Sequence, residues 1–143
     1  MTVHISALIA AVAIALAVPT VANAESIAFT ADLKGSSEVP PNDSQGTGSV
    51  EATFDTESKA FAWTIEYSGL TGDATAAHFH GPAAPDANAG PVVPIEGSLA
   101  SPIEGEATLT AEQAGQLQDG MWYFNVHTAQ YPDGELRGQV TKQ

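Results

Sequence analysis

The stretch "MWYFNVHT", residues 121–128, alternates large apolar side chains with polar ones. Successive side chains of a β-strand point to opposite faces. Trp122, Phe124 and Val126 therefore share one face, and Tyr123, Asn125 and His127 the other. The first face suits a core; the second carries groups capable of chemistry. The same two-residue period recurs along the chain. Ile27, Phe29, Ala31 and Leu33 alternate in "SIAFTADLKG" (26–35), and Val50, Ala52 and Phe54 in "GSVEATFD" (48–55). Phe61, Trp63, Ile65 and Tyr67 alternate in "KAFAWTIEYSG" (59–69), with "DTES" as the hairpin turn between the last two. "TAAHFHG" (75–81), the piece around Val92–Ile95, "IEGEATLT" (103–110) and "GELRGQVTK" (134–142) complete the set. "SSEVPPNDSQGTG" (36–48) and the proline-rich run from Gly81 to Pro94 are loops. One helix is expected in "TAEQAGQLQDG" (110–120), with Thr110 capping it, Gln113 completing a capping box and Gly120 ending it. Seven or eight short strands at roughly ten-residue spacing imply an all-β fold, an antiparallel Greek-key β-sandwich or barrel. A parallel α/β fold would need several crossover helices that the sequence lacks.

The compartment is read from the first residues. "ISALIAAVAIALAV" (5–18) is apolar but short for a bilayer span, and "PTVANAES" follows it. Ala22-Asn23-Ala24 fits the small-x-small pattern of signal cleavage, so residues 1–24 are expected to be a signal peptide and 25–143 a single domain. No Lys or Arg precedes the apolar run, which departs from the usual signal pattern and leaves an uncleaved anchor as the alternative. Cleavage removes His4 and leaves 119 residues, one domain with one core. The expected location is periplasmic or secreted, with no membrane association after cleavage.

The net charge is −13, and residues 1–24 contain none of it. Such a surface argues against nucleic acid and anionic membranes and attracts cations. The chain has no cysteine, so disulfides, thiolate metal sites and cysteine nucleophiles are excluded. Met1 and Met121 are its two methionines, which rules out a thioether-rich copper(I) site.

His78 and His80 share one face of "AAHFHGPA", opposite Ala77 and Phe79. Histidines two apart on a strand stand about 6–7 Å apart, and side-chain tilt brings both to one ion at about 2.0–2.1 Å. If this strand neighbours 121–128, His127 joins them outside the core. A three-imidazole set without sulfur suits copper(II) or zinc, with copper favoured by intrinsic affinity. An HxH pair is a weak signal by itself. The plain alternative is three surface histidines with ordinary hydrogen bonds.

"AAHFHGPA" (76–83), "WYFNVHTAQYPDGELRGQV" (122–140) and "FTADLKGSSEVPPNDSQGTGSVEATFD" (29–55) together resemble the CHRD domain. That module is named for its repeats in chordin, an extracellular growth-factor antagonist, and also occurs alone in exported bacterial proteins. The resemblance covers about residues 27–141 and implies an immunoglobulin-like or superoxide-dismutase-like β-sandwich. On the dismutase side, His78 and His80 resemble the copper-binding HxH pair, and Val126-His127 a further copper histidine. Arg137 resembles the arginine that guides anions to the metal. The loop "GPAAPDANAGPVVP" (81–94) departs from that pattern: it has no histidine and only Asp86 as a possible ligand. No zinc site and no bridging imidazole are expected.

Three readings follow. The chain is a copper-binding module using His78, His80 and His127, a copper-dependent dismutase-like enzyme with Arg137 steering the anion, or a structural or protein-binding module whose partner is an extracytoplasmic protein. For Arg137 the bland alternative is an ion pair with Glu135. Tyr123 and Asn125 either orient a ligand or form a polar outer face, and Glu104 and Glu106 read as a solvated face. No nucleophile elbow, phosphate-binding glycine loop or acid–base carboxylate pair is recognisable.

Overall fold

The computed structural model describes residues 17, 19, 20 and 23–143. The signal peptide expected over residues 1–24 lies largely outside them. Eight strands form: β1 (Ser26–Lys34), β2 (Thr47–Asp55), β3 (Ala60–Ser68), β4 (Ala74–His80), β5 (Pro91–Pro94), β6 (Ile103–Thr108), β7 (Trp122–Thr128) and β8 (Leu136–Lys142). The helix α1 covers Ala111–Gln118 between β6 and β7. Its capping box is the expected one: the Gln113 amide N–H donates to Thr110 Oγ1, and the Thr110 N–H to Gln113 Oε1. The turn after β2 is held by Asp55, whose Oδ1 accepts from the Glu57 and Ser58 N–H groups.

All neighbouring strands pair antiparallel, in the order β5-β4-β7-β8-β1-β2-β3-β6. Four strands separate β3 from β4 in that order, which in a flat sheet would place them about 24 Å apart. Yet the Phe61 and Trp63 rings of β3 lie 5.1 and 5.2 Å from the Phe79 ring of β4. The sheet therefore folds over on itself, bending where β8 meets β1. The result is a sandwich with an open side, one continuous sheet in place of two separate ones.

The strand alternation places the core where the sequence puts it. Phe29, Val50, Phe54, Phe61, Ile65, Phe79, Trp122, Phe124 and Val126 are all buried between the two halves. Ala114 and Leu117 of α1 close one end. Burial of each large side chain contributes on the order of 1.5–3 kcal/mol, so this interior fixes β4 against β7 and with them the histidines. Among the described residues, no helix is long and apolar enough to cross a membrane.

Candidate metal centre

β4 and β7 are neighbours, with His78 opposite Asn125, His80 opposite Tyr123 and His127 opposite Ala76. Their inner faces carry Ala77, Phe79, Phe124 and Val126 into the core, which turns all three histidines outward. The three rings meet. Ring centroids are 5.1 Å apart for His78–His127, 5.3 Å for His78–His80 and 6.4 Å for His80–His127. One ring nitrogen from each lies within 4.8 Å of the others. His78 Nδ1 and His127 Nε2 are 3.3 Å apart. Two nitrogens bound tetrahedrally to one ion at about 2.0–2.1 Å stand about 3.3 Å from each other, so this pair already has a ligand spacing.

Backbone carbonyls orient two of the rings. His80 Nδ1 lies 2.9 Å from Ala89 O, and His127 Nδ1 lies 2.8 Å from Pro132 O. A carbonyl only accepts, so each Nδ1 carries the proton, and in the neutral ring each Nε2 keeps its lone pair. Burial holds His78 below the ordinary imidazole range, helped by the charges of His127 and His80. Burial does the same for His80, with the hydrogen bond to Ala89 opposing it and the charges of His127 and Arg137 adding to it. Both rings are thereby favoured in the uncharged form that a metal requires.

The outer face around them is not a solvated surface, contrary to one reading of Tyr123 and Asn125. Tyr123 is 3 % exposed and Asn125 2 %. Two loops cover them, 35–46 and 81–90, joined by the Asn88 side chain donating to Val39 O at 2.9 Å. Asn125 sits between His80 Nε2, at 2.8 Å from its Oδ1, and Glu38 Oε1, at 3.4 Å from its Nδ2. With His80 neutral, the reversed amide satisfies every group: Nδ2 donates to His80, and Oδ1 accepts from a protonated Glu38. Burial raises the Glu38 carboxyl to about 7 against the pull of the Arg137 charge. Gly134, at φ +131°, makes room for this contact, since a Cβ there would fall 2.3 Å from Glu38 Oε1.

Arg137 lies behind Tyr123. The phenol ring stacks on His80 at 4.6 Å between centroids and 3° between planes, and the Arg137 Cζ sits 3.5 Å from its centroid. The guanidinium is 1 % exposed. It donates to Asn88 Oδ1 at 2.9 Å and to the carbonyls of Ala87, Pro85 and Ala84 at 2.6, 3.3 and 3.4 Å. Arg137 therefore holds the loop whose Ala89 carbonyl orients His80.

Glu135 is not its partner. β8 begins at Leu136, so strand alternation does not govern Glu135. The carboxylate turns inward and accepts from Ser44 Oγ (2.7 Å), Thr71 N (2.9 Å), Thr71 Oγ1 (2.8 Å) and Thr128 Oγ1 (2.6 Å). Asp86 is exposed and stands outside the histidine cluster. Sequence reading gave no role to Glu38 or Asn88. The signal for Glu38 was the "EVPP" run; Asn88 had none beyond a place in a loop.

No curated protein and no solved structure matches this chain. A family profile does, and its span takes in the three histidines, the loops that cover their face, and Glu38, Asn125 and Arg137. That span, residues 29–140, is the CHRD domain, and the chain belongs to that family.

Proposed function

We propose that the protein is an exported CHRD-domain module that binds one copper ion through His78, His80 and His127. The observation that carries this reading is the locked pair of tautomers. His80 and His127 each give Nδ1–H to a main-chain carbonyl, His127 Nε2 stands 3.3 Å from His78 Nδ1, and one ring nitrogen of each histidine lies within 4.8 Å of the others. Copper is chosen on donor chemistry: an all-nitrogen set without sulfur binds copper(II) most tightly of the divalent first-row ions. The net charge of −13 favours cation capture at the site. Export rests on residues 1–24, whose apolar run over 5–18 is followed by Ala22-Asn23-Ala24.

In this reading Arg137 is a positioning residue. It fixes the 84–89 loop and, through Tyr123, the plane of the His80 ring. A bound copper ion supplies a Lewis-acid and one-electron redox centre at the protein surface. The test is elemental analysis of protein purified from its native compartment. One copper per chain, lost in His78→Ala and His127→Ala, is the expected result. Zinc or no metal in the wild type, or undiminished copper in both variants, overturns the proposal.

A further inference from the structure

A second surface lies where the folded sheet fails to close. β6 pairs with β3 on one side and ends the sheet on the other. The Leu109 N–H donates to Lys59 O at 2.9 Å, which sets the phase of the ladder. Directly opposed residues that exchange hydrogen bonds recur every second position. Ile103, Gly105 and Ala107 therefore bond to β3, and Glu104, Glu106 and Thr108 direct their N–H and C=O groups to the open side. The side chains of these last three are exposed.

Beside this edge is a groove of about 370 Å³ between β6 and β5, walled by Trp63, Val93, Ile95 and Ala107, with Glu96, Glu104 and Glu106 also lining it. Trp63 is 8 % exposed, and its indole N–H has no acceptor among the described residues. Gly105 lies directly over the ring: a Cβ there would meet Cζ2 at 2.8 Å and Nε1 at 3.0 Å. The absent side chain lets the Gly105 main chain close over the ring, so the indole N–H is buried just behind the groove wall. The other tryptophan contrasts with it, since Trp122 Nε1 donates to Gln116 Oε1 at 3.3 Å. A buried donor without a partner costs about 1–3 kcal/mol, a cost that an incoming carbonyl removes once binding shifts the Gly105 main chain aside.

A row of open main-chain groups, an apolar floor and one unpaired N–H together fit an extended peptide added as a strand. Charge selects which peptide. In an added strand, residues beside Glu104 and Glu106 share their outward face, while alternate residues enter the groove. A second copy of this chain is a poor occupant, because β6 against β6 brings carboxylates onto carboxylates between two chains of net charge −13. We infer that the free edge of β6 and the groove beside it bind an extended peptide segment of a partner protein in which cationic and apolar residues alternate. This inference is independent of the histidine cluster, which faces outward from β4 and β7.

The test titrates the protein with a short synthetic peptide of alternating Lys and Val, followed by NMR. Binding should move the Trp63 indole N–H resonance and protect the amides of Glu104, Glu106 and Thr108 from exchange, with Trp122 unmoved. Glu104→Lys combined with Glu106→Lys should weaken binding roughly tenfold or more. Trp63→Phe, which keeps an apolar ring and removes the donor, should weaken it several-fold. Two control peptides act on the wild-type protein and need no variant to fold: one with the same residues in two blocks, and one N-methylated on the amides that face β6. Loss of binding with both supports the inference. Binding of either control as tight as that of the alternating peptide, or no binding at all, overturns it.

Discussion

His78 Nδ1 stands 3.3 Å from His127 Nε2, on rings brought together from positions 49 residues apart. Because His127 Nδ1 is committed to Pro132 O, the His127 Nε2 carries a lone pair directed at His78. Without metal, His78 donates its Nδ1 proton into that lone pair. To receive a metal, His78 moves its proton to Nε2 and both lone pairs then face one point. The remaining adjustment is at His80, whose Nε2 must leave Asn125.

That arrangement predicts that copper stabilises the fold. Copper(II) at a hundredfold excess over its Kd should add about 2.7 kcal/mol, read as a rise in Tm. His78→Ala and His127→Ala should abolish the gain. Both rings are half-buried, so metal-free stability should stay within about 1 kcal/mol of wild type. An equal copper-induced rise in the two variants contradicts the site.

Glu38 should make stability fall as pH rises. Its carboxyl is raised from 4.5 to about 7, so its contribution is complete below the unfolded value and is lost as pH climbs through 7. Glu38→Gln keeps the shape and removes the ionisation. Between about pH 5 and pH 8 the variant should gain on wild type by up to about 3 kcal/mol in urea unfolding. A difference that does not change with pH contradicts this account.

Glu135 should act in the opposite direction. Burial pushes its carboxyl up, but hydrogen bonds from Ser44, Thr128 and Thr71 outweigh that and hold it below the usual range. Its contribution is present above the unfolded value and is lost as pH falls through the lowered one. Glu135→Ala should cost about 2–4 kcal/mol at neutral pH, because it leaves three hydroxyls and a main-chain N–H without their acceptor. Glu135→Gln should cost less than the alanine change at neutral pH, and its deficit should shrink in acid.

Arg137→Lys keeps the charge but loses the planar stack on Tyr123 and the spread of donors to the 84–88 loop. A destabilisation of about 1–3 kcal/mol is expected, with faster proteolysis within residues 84–89. The 84–89 loop also orients His80 through Ala89 O, so copper affinity should fall about 10–100-fold. Unchanged proteolysis together with unchanged affinity would remove Arg137 from the positioning role.

The fold was legible because its elements are periodic. Phe61, Trp63 and Ile65, or Trp122, Phe124 and Val126, announce a strand and its buried face without any partner. The histidines were legible for the same reason: alternation alone puts His78 and His80 together, and pairing of β4 with β7 supplies His127. The cover over that face was not. Glu38, Asn88 and the carbonyls of Ala89 and Pro132 lie in loops, where no period links sequence position to direction. Glu135 failed for a related reason, since it sits one residue before β8 and does not follow the strand's alternation. Main-chain ligands to a ring nitrogen leave no residue-type signal at all.

The central claim is that His78, His80 and His127 bind one ion together. Its most direct test is electron paramagnetic resonance of the protein loaded with one equivalent of copper(II), with the imidazole nitrogens of each histidine in turn removed by His→Ala. A single copper species is predicted, with nitrogen hyperfine structure from three imidazoles in the wild type, and that species is lost in each variant. A spectrum unchanged by any one of the three substitutions, or one showing no nitrogen coupling, would contradict it.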